Sequence, residues 1–278
     1  SPHFHFRVEP TPPHPGRALT PWEVARRLAL YLWSSVPDDP LLDCAQAGGL
    51  QPQDDGPCGL VAQIERMIDD PRAESLLSAF VAQWLGIHDL PDQVRDPRLY
   101  PEWSRDLADA MIRETLTLVR PSLTHDVPLR DLLTTRRTTL EPLLADLHGV
   151  EHRSADTPFR WPLDDARGLL RQSSILAITS QPDRTSRVRR GVYILDRLLC
   201  SPPPPPPATV TDQVRQDFAD DDLTADPRCS GCHSRIDPLG EPLQRYDALG
   251  RARPDATIQP LPTPDGVTLD TPRAHSLR

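Results

Sequence analysis

Lysine and asparagine are absent from the 278-residue sequence, so arginine supplies all of its strongly basic side chains. The lack of asparagine excludes N-linked glycosylation, which requires an Asn acceptor. Glycine is also sparse, with 13 residues against 34 prolines, and we therefore expect many segments that are short and end abruptly. Hydrophobic residues make up 37%, a modest share for a globular chain.

Long apolar runs are missing as well. None approaches the roughly 20 residues that a membrane-spanning helix needs, so we predict no transmembrane segment. The 31 basic residues are outnumbered by 40 acidic ones, which gives a formal net charge of −9 and predicts no nucleic-acid partner. There is no Ser-His-Asp arrangement, glycine-rich phosphate loop or H-E-x-x-H helix. The sequence therefore assigns no catalytic residue, and enzyme activity stays open.

Helical patterns fill the first two thirds of the chain. The clearest helix start has Thr20 as N-cap, Pro21 at the first helical position and Glu23 at the third. This helix is expected to bury an apolar face made of Val24, Leu28, Leu30, Tyr31 and Leu32. Further helices are predicted over residues 37–48, 60–70, 71–86, 101–119, 166–180 and 185–199, and no segment alternates with a strand period over a persuasive length.

Two of the five cysteines flank a polar loop. Cys44 and Cys58 lie on either side of a stretch rich in Gly, Gln and Asp. They can form a disulfide in an oxidising compartment, and two unpaired thiols are the other interpretation. Cys200, before a proline run, has no evident partner.

The chemistry-bearing motif is C-x-x-C-H at Cys229, Cys232 and His233. Two thiols separated by two residues can each add to one vinyl group of the same porphyrin. The histidine directly after the second thiol is then placed under the iron, so the motif is the attachment signature of a c-type haem. The other ring nitrogen needs an acceptor, usually a backbone carbonyl or a carboxylate, and the predicted turn at 237–240 can offer a carbonyl.

Three other interpretations of this motif remain open from the spacing alone. A structural zinc site needs four soft ligands, and only one cysteine pair is clustered here. A thioredoxin-like dithiol needs a βαβ setting, whereas the surroundings are helical and proline-rich. A plain disulfide across a tight loop is the third interpretation, and it does not require His233.

A haem iron ligated by His233 has a sixth position, which Met67, Met111 or His148 can fill or which can stay open. The two methionines lie on apolar helical faces, where core packing is the competing interpretation. His148 ends a helix, where histidine often bonds terminal carbonyls. The basic cluster at residues 185–191 can meet haem propionates or another anion, or form a solvated helix face.

Long strings around the motif are more specific than the motif itself. They are SPHFHFRVE, LTPWEVARRLALYLWSSVPDDPLLDCAQAGGL, MIDDPRA, FVAQWLG, GLLRQSSILAITSQPDRTSRVRRGVYILDRLLCSPPPPPP and CSGCHSRIDPLGEPLQRYDALGR. With them the chain resembles the large secreted proteins of Planctomycetes and myxobacteria that join cytochrome c domains to domains of unknown function. In that family the C-x-x-C-H precedes D-P-L-G and D-x-x-G-R, which here start at Asp237 and Asp247.

The resemblance implies a mainly α protein with a helical domain at residues 18–150. A smaller, α-rich cytochrome c-like domain with proline-rich irregular segments follows at residues 162–262. Residues 1–17 would be the tail of an upstream element, and residues 263–278 the start of a truncated C-terminal domain. It also implies haem c bound by Cys229, Cys232 and His233, a periplasmic or extracellular location, and a redox partner protein or neighbouring domain.

Some positions depart from the family pattern. The family segment S-N-P-x-R-T-S-P-V has Gln181 in place of its asparagine and Arg187 in place of its second proline. The segment that normally closes the middle domain keeps little beyond its leucines, His148 and Gly149. The resemblance names no substrate. A haem-dependent oxidoreductase that serves a neighbouring domain and a haem-free helical interaction module remain as alternatives to electron transfer.

Overall fold

The structure is a computed structural model that describes residues 18–124, 127–128, 130–151, 159–161, 168–205, 227, 229–254, 256 and 258. Its fold is mainly helical, which confirms the predicted fold class. The segments predicted at 1–17 and 263–278 lie outside the described residues. None of the helices in the described part of the chain has the length and apolar character that crossing a membrane requires.

Short helices dominate, as the high proline content predicts. A two-stranded antiparallel ladder pairs β1, Arg137–Thr138, with β2, Phe159–Arg160. Shorter turns of 3-10 helix cover Pro71–Ala73, Ile87–Asp92, Leu169–Arg171 and Glu241–Arg245, and π-helical turns cover Leu77–Val81 and Ile194–Leu198. Within the described ranges the α-helices α1 to α11 are Pro21–Trp33, Asp39–Gln46, Leu60–Ile68, Glu74–Leu76, Ala82–Trp84, Arg105–Thr124, Asp131–Thr134, Pro142–His148, Ser173–Ile178, Arg187–Tyr193 and Ser230–Gly240.

The first helix begins where the sequence predicts it. The hydroxyl oxygen of Thr20 accepts a hydrogen bond from the Glu23 backbone N–H, and the Glu23 carboxylate accepts one from the Thr20 N–H at 2.7 Å. This reciprocal pair satisfies two N–H groups that the first turn leaves without a helical partner. The buried face, however, runs through Ala25, Ala29, Leu32 and Trp33.

The prediction that Leu30 and Tyr31 belong to this buried face is wrong. They are 48% and 65% exposed. Side chains three and four positions apart share a helix face, so the stripe through Ala25, Ala29 and Leu32 turns Leu30 and Tyr31 away from the core.

The chain divides into two compact units, Ser1–Val81 and Ala82–Arg278. In the first, Trp33 is buried beside Met67 and donates from its indole nitrogen to the Met67 carbonyl at 2.9 Å. The Arg72 guanidinium lies over the Trp33 ring at 3.5 Å. A disulfide joins Cys44 to Cys58 and fixes the loop that follows α2, so the disulfide interpretation of this pair is confirmed.

The core of the second unit surrounds α6. Its fully buried members include Met111 and Leu144. Trp161, which directly follows β2 in the chain, is also buried in this cluster. Ala177, Ala248 and Leu249 belong to the same cluster. Residues from both sides of the predicted boundary near residue 150 therefore share one core.

Candidate functional site

The C-x-x-C-H motif forms the first turn of α11. Cys229 is the N-cap residue, and its carbonyl oxygen accepts hydrogen bonds from the backbone N–H groups of Cys232 at 3.2 Å and His233 at 3.1 Å. Cys232 and His233 come three and four positions after Cys229, so each lies on the helix face next to Cys229, and all three side chains project from the first turn. Both cysteines are free thiols; Cys232 is exposed and Cys229 is half-buried.

The imidazole of His233 is held by a carboxylate from the next helical turn. Its Nδ1 lies 2.9 Å from Oδ1 of Asp237, whose side chain is fully buried, while His233 itself is 17% exposed. An ionised carboxylate only accepts hydrogen bonds, so this contact places the proton on Nδ1. Nε2 is then the nitrogen with a lone pair to offer an electrophile or a metal.

The sequence predicted a turn at 237–240 that would offer a carbonyl to this histidine. The structure corrects both parts of that expectation. Residues 237–240 continue α11, and the acceptor is the side chain of Asp237 rather than a backbone oxygen. The i to i+4 spacing within one helix brings the two side chains together.

An arginine from the preceding helix completes the cluster. A terminal guanidinium nitrogen of Arg187 lies 3.3 Å from Oδ2 of Asp237. The other terminal nitrogen lies 3.4 Å from Oε2 of Glu241. The side chains of Arg187, Asp237 and Glu241 are at most 24% exposed. These three side chains, with His233, form what we call the His233 cluster.

Two glycines allow α10 and α11 to come into backbone contact. A Cβ atom on Gly191 would lie 2.0 Å from the carbonyl oxygen of Ile236, and one on Gly240 would lie 2.0 Å from that of Arg187. Only glycine therefore fits at either position without moving the helices apart. A Cβ on Gly231, inside the motif, would meet nothing within 4 Å. The close packing is what brings Arg187 within reach of Asp237.

Arg190 does not serve the anion-binding role that the basic cluster suggested. It is fully buried and donates to the carbonyl oxygens of Leu243, Tyr246 and Asp247 and to the Ser180 hydroxyl. Burial lowers the pKa of its guanidinium to about 9, which leaves it charged at neutral pH. Its structural role is to hold the segment after α11 in place through hydrogen bonds to the backbone carbonyls of that segment.

The D-x-x-G-R motif is a turn that closes on itself. The Asp247 carboxylate accepts from the backbone N–H groups of Leu249 at 2.8 Å and Arg251 at 2.9 Å, and from the Arg251 side chain at 2.7 Å. Gly250 has φ +88° and packs against Ser173, where a Cβ would be 3.0 Å from the Ser173 Cα. In the sequence this motif was identified only through the family resemblance, which did not indicate its structural role.

The candidates for a sixth ligand lie in packed surroundings. Met67 and Met111 are fully buried in the cores of the first and second units, respectively. His148 places Nε2 3.0 Å from the Ser173 hydroxyl oxygen and packs edge-on against Trp161, with ring centroids 5.3 Å apart. A ligand role for any of the three stays a prediction. The part of the chain that the structure describes contains no group of three or more His, Cys, Asp or Glu side chains arranged for a metal ion.

Two family models match the chain. Residues 19–150 match PSD4, a protein of unknown function (DUF1592), and residues 166–256 match PSCyt3, a protein of unknown function (DUF1588). Both models describe planctomycete cytochrome-like domains, which is consistent with the family resemblance of the sequence. The second match contains the whole of the His233 cluster. No curated protein and no solved structure matches the chain.

Proposed function

We propose that this chain binds a c-type haem covalently through Cys229 and Cys232, with His233 as an iron ligand, and that it transfers single electrons outside the cytoplasm. The observation that carries the proposal is the first turn of α11. Two free thiols and one imidazole lie within that turn, and the imidazole keeps Nε2 for the iron because Nδ1 is bonded to Asp237.

The residues present fit the requirements of the group. Each attachment forms one C–S bond as a thiol adds across a vinyl double bond, and the thiol hydrogen goes to the other vinyl carbon. The two sulfurs must therefore be reduced and accessible, and Cys229 and Cys232 are free thiols at least partly open to solvent. A haem, when bound, carries one electron by cycling between ferric and ferrous iron.

This chain's own contribution is attachment and orientation. The thiols would hold the group without any other binding energy, which suits a protein outside the cell. The Asp237 carboxylate fixes the tautomer and the ring direction of His233. The backbone contacts of α10 with α11 at Gly191 and Gly240 hold α11 in place next to α10.

The disulfide between Cys44 and Cys58 supports the proposed compartment. Disulfides persist in the periplasm and outside the cell and are rare in the cytosol. C-type attachment in the periplasm or at the cell surface is consistent with such an oxidising environment. The electron would pass to a redox partner protein or to a neighbouring domain.

The test is an absorption spectrum of the protein exported together with c-type maturation factors, oxidised and then reduced with dithionite. We expect a Soret band, the reduced α-band of a c-type cytochrome, and a haem-stained band on a denaturing gel. The double variant C229S/C232S should lose the stained band, whereas C200S, which removes another exposed free thiol, should keep it. A wild-type protein without a Soret band, from cells that mature a control cytochrome, overturns the proposal and favours the haem-free module.

A further inference from the structure

The His233 cluster contains charged side chains that covalent attachment of a haem does not require. On the basis of the proposed function, we infer that Asp237 is a positioning residue that lowers the reduction potential of the haem through His233, and that Arg187 limits this effect. Neither residue belongs to the C-x-x-C-H motif.

The contact between Asp237 and His233 is short and shielded from water. Oδ1 lies 2.9 Å from Nδ1, and the carboxylate is fully buried. Both side chains project from one helix at i and i+4, so their geometry depends on no loop. A hydrogen bond to a charged acceptor in such surroundings is roughly twice as strong as one between neutral groups.

The consequence for a metal-bound imidazole follows from charge. A carboxylate that pulls on the Nδ1 proton makes the ring a more basic ligand at Nε2. A more basic ligand stabilises ferric iron more than ferrous iron, because the ferric form carries one more positive charge. Hydrogen bonding beyond the ligand itself is one of the means by which proteins tune a haem. The buried carboxylate should therefore hold the potential below the value that a neutral acceptor would give.

Arg187 acts on the same carboxylate from the other side. It lies 3.3 Å from Oδ2, and it shares its charge with Glu241 at 3.4 Å. A guanidinium there withdraws electron density from the carboxylate and weakens its pull on the His233 proton.

A purely structural role for Asp237 makes a different prediction. If the carboxylate served only to hold α10 against α11, its loss would change stability and leave the iron potential where it was. Glu241 provides the matched control, because it pairs with the same arginine, whereas the partner of the imidazole Nδ1 is Asp237. D237N and E241Q each remove one negative charge from one cluster, and only D237N changes the acceptor at Nδ1.

The experiment is a potentiometric titration of the haem-loaded full chain, with dithionite as the electron donor and equal haem content verified for each variant. D237N should raise the equilibrium constant for reduction at least tenfold, which is about 59 mV for a one-electron couple. E241Q should shift it much less. R187Q should shift it in the opposite direction, because the carboxylate then pulls harder on the His233 proton.

Equal shifts in D237N and E241Q would overturn the inference, since charge alone would then explain both. If D237N does not retain haem, R187Q decides the matter. The inference requires the potential of R187Q to fall below that of wild type, and an R187Q potential at or above wild type overturns the inference. A wild-type chain that takes up no haem overturns the proposed function and the inference together, whereas a loaded chain with unshifted variants overturns the inference alone.

Discussion

Gly191 of α10 lies directly against Ile236 of α11, so that a Cβ atom on the glycine would be 2.0 Å from the Ile236 carbonyl oxygen. A backbone oxygen cannot yield as a flexible side chain can. The close distance between these two helices thus depends on the absence of a side chain at Gly191, as it does at Gly240. That distance in turn allows Arg187 to reach Asp237.

The first prediction concerns this contact. We expect G191A to destabilise the folded chain by about 1–3 kcal/mol, because the methyl group forces the helices apart. Urea denaturation followed by circular dichroism measures the change. G231A is the control, since a Cβ there meets nothing within 4 Å. A G191A protein as stable as G231A would show that the helices are not fixed at this distance.

The second prediction concerns Arg190. Its replacement by methionine leaves the carbonyl oxygens of Leu243, Tyr246 and Asp247 without their buried donor. Since each buried polar group left without a partner costs about 1–3 kcal/mol, we expect R190M to unfold the chain or to lower its unfolding free energy by more than about 3 kcal/mol.

The neighbouring Arg189 gives the control for that experiment. R189M makes the same chemical change at an exposed position whose guanidinium donates to the Ser180 carbonyl at 3.3 Å. Surface substitutions of this kind usually stay within about 0.5 kcal/mol. If denaturation curves of R190M and R189M coincide, the four buried hydrogen bonds of Arg190 do not hold the chain that follows α11.

The sequence predicted those features that are encoded locally. The capping box at Thr20 located the start of α1. Gly48 and Gly86, the last residues of the helices predicted over 37–48 and 71–86, both have positive φ and lie just beyond the helix ends at Gln46 and Trp84. The thiols and the histidine of the candidate site could likewise be named from five consecutive residues. In each case the signal lies within one turn of the chain.

Contacts between distant segments were not predictable in the same way. Three of the four acceptors of Arg190 lie more than 50 residues further along the chain, so its arginine-rich surroundings indicated a solvated face or an anion site instead. Arg187 reaches Asp237 only because Gly191 and Gly240 allow two helices to touch. Amphipathic spacing predicts that a helix is half-buried, and it does not identify the partner.

The third prediction concerns acid stability. The Asp96 carboxylate accepts hydrogen bonds from the side chain and the backbone N–H of Arg98, which lowers its pKa from 3.8 to about 2. Because folding lowers the pKa of Asp96, its ionised carboxylate stabilises the folded chain above pH 3.8. This contribution is lost as the pH falls towards about 2. D96N should therefore melt below wild type at pH 6, and the difference should shrink steadily in acid.

Thermal unfolding of wild type and D96N across this range measures the effect. D92N is the control: Asp92 is 79% exposed and lies 3.5 Å from Arg105, so its removal should change the melting temperature little at any pH. If the difference in melting temperature between wild type and D96N is as large near pH 2 as at pH 6, the ionised carboxylate does not stabilise the fold through Arg98.

The last prediction concerns the disulfide of the first unit. Cys44 and Cys58 are separated by 14 positions, and a cross-link that closes a loop of about 15 residues contributes about 3 kcal/mol by restricting the unfolded chain. The double variant C44S/C58S should lose about this much, and dithiothreitol should lower the melting temperature of wild type but not of the variant. C200S, which removes a free thiol, should respond to the reductant as wild type does. A wild-type protein that is insensitive to the reductant would remove the support that this bond lends to an oxidising compartment.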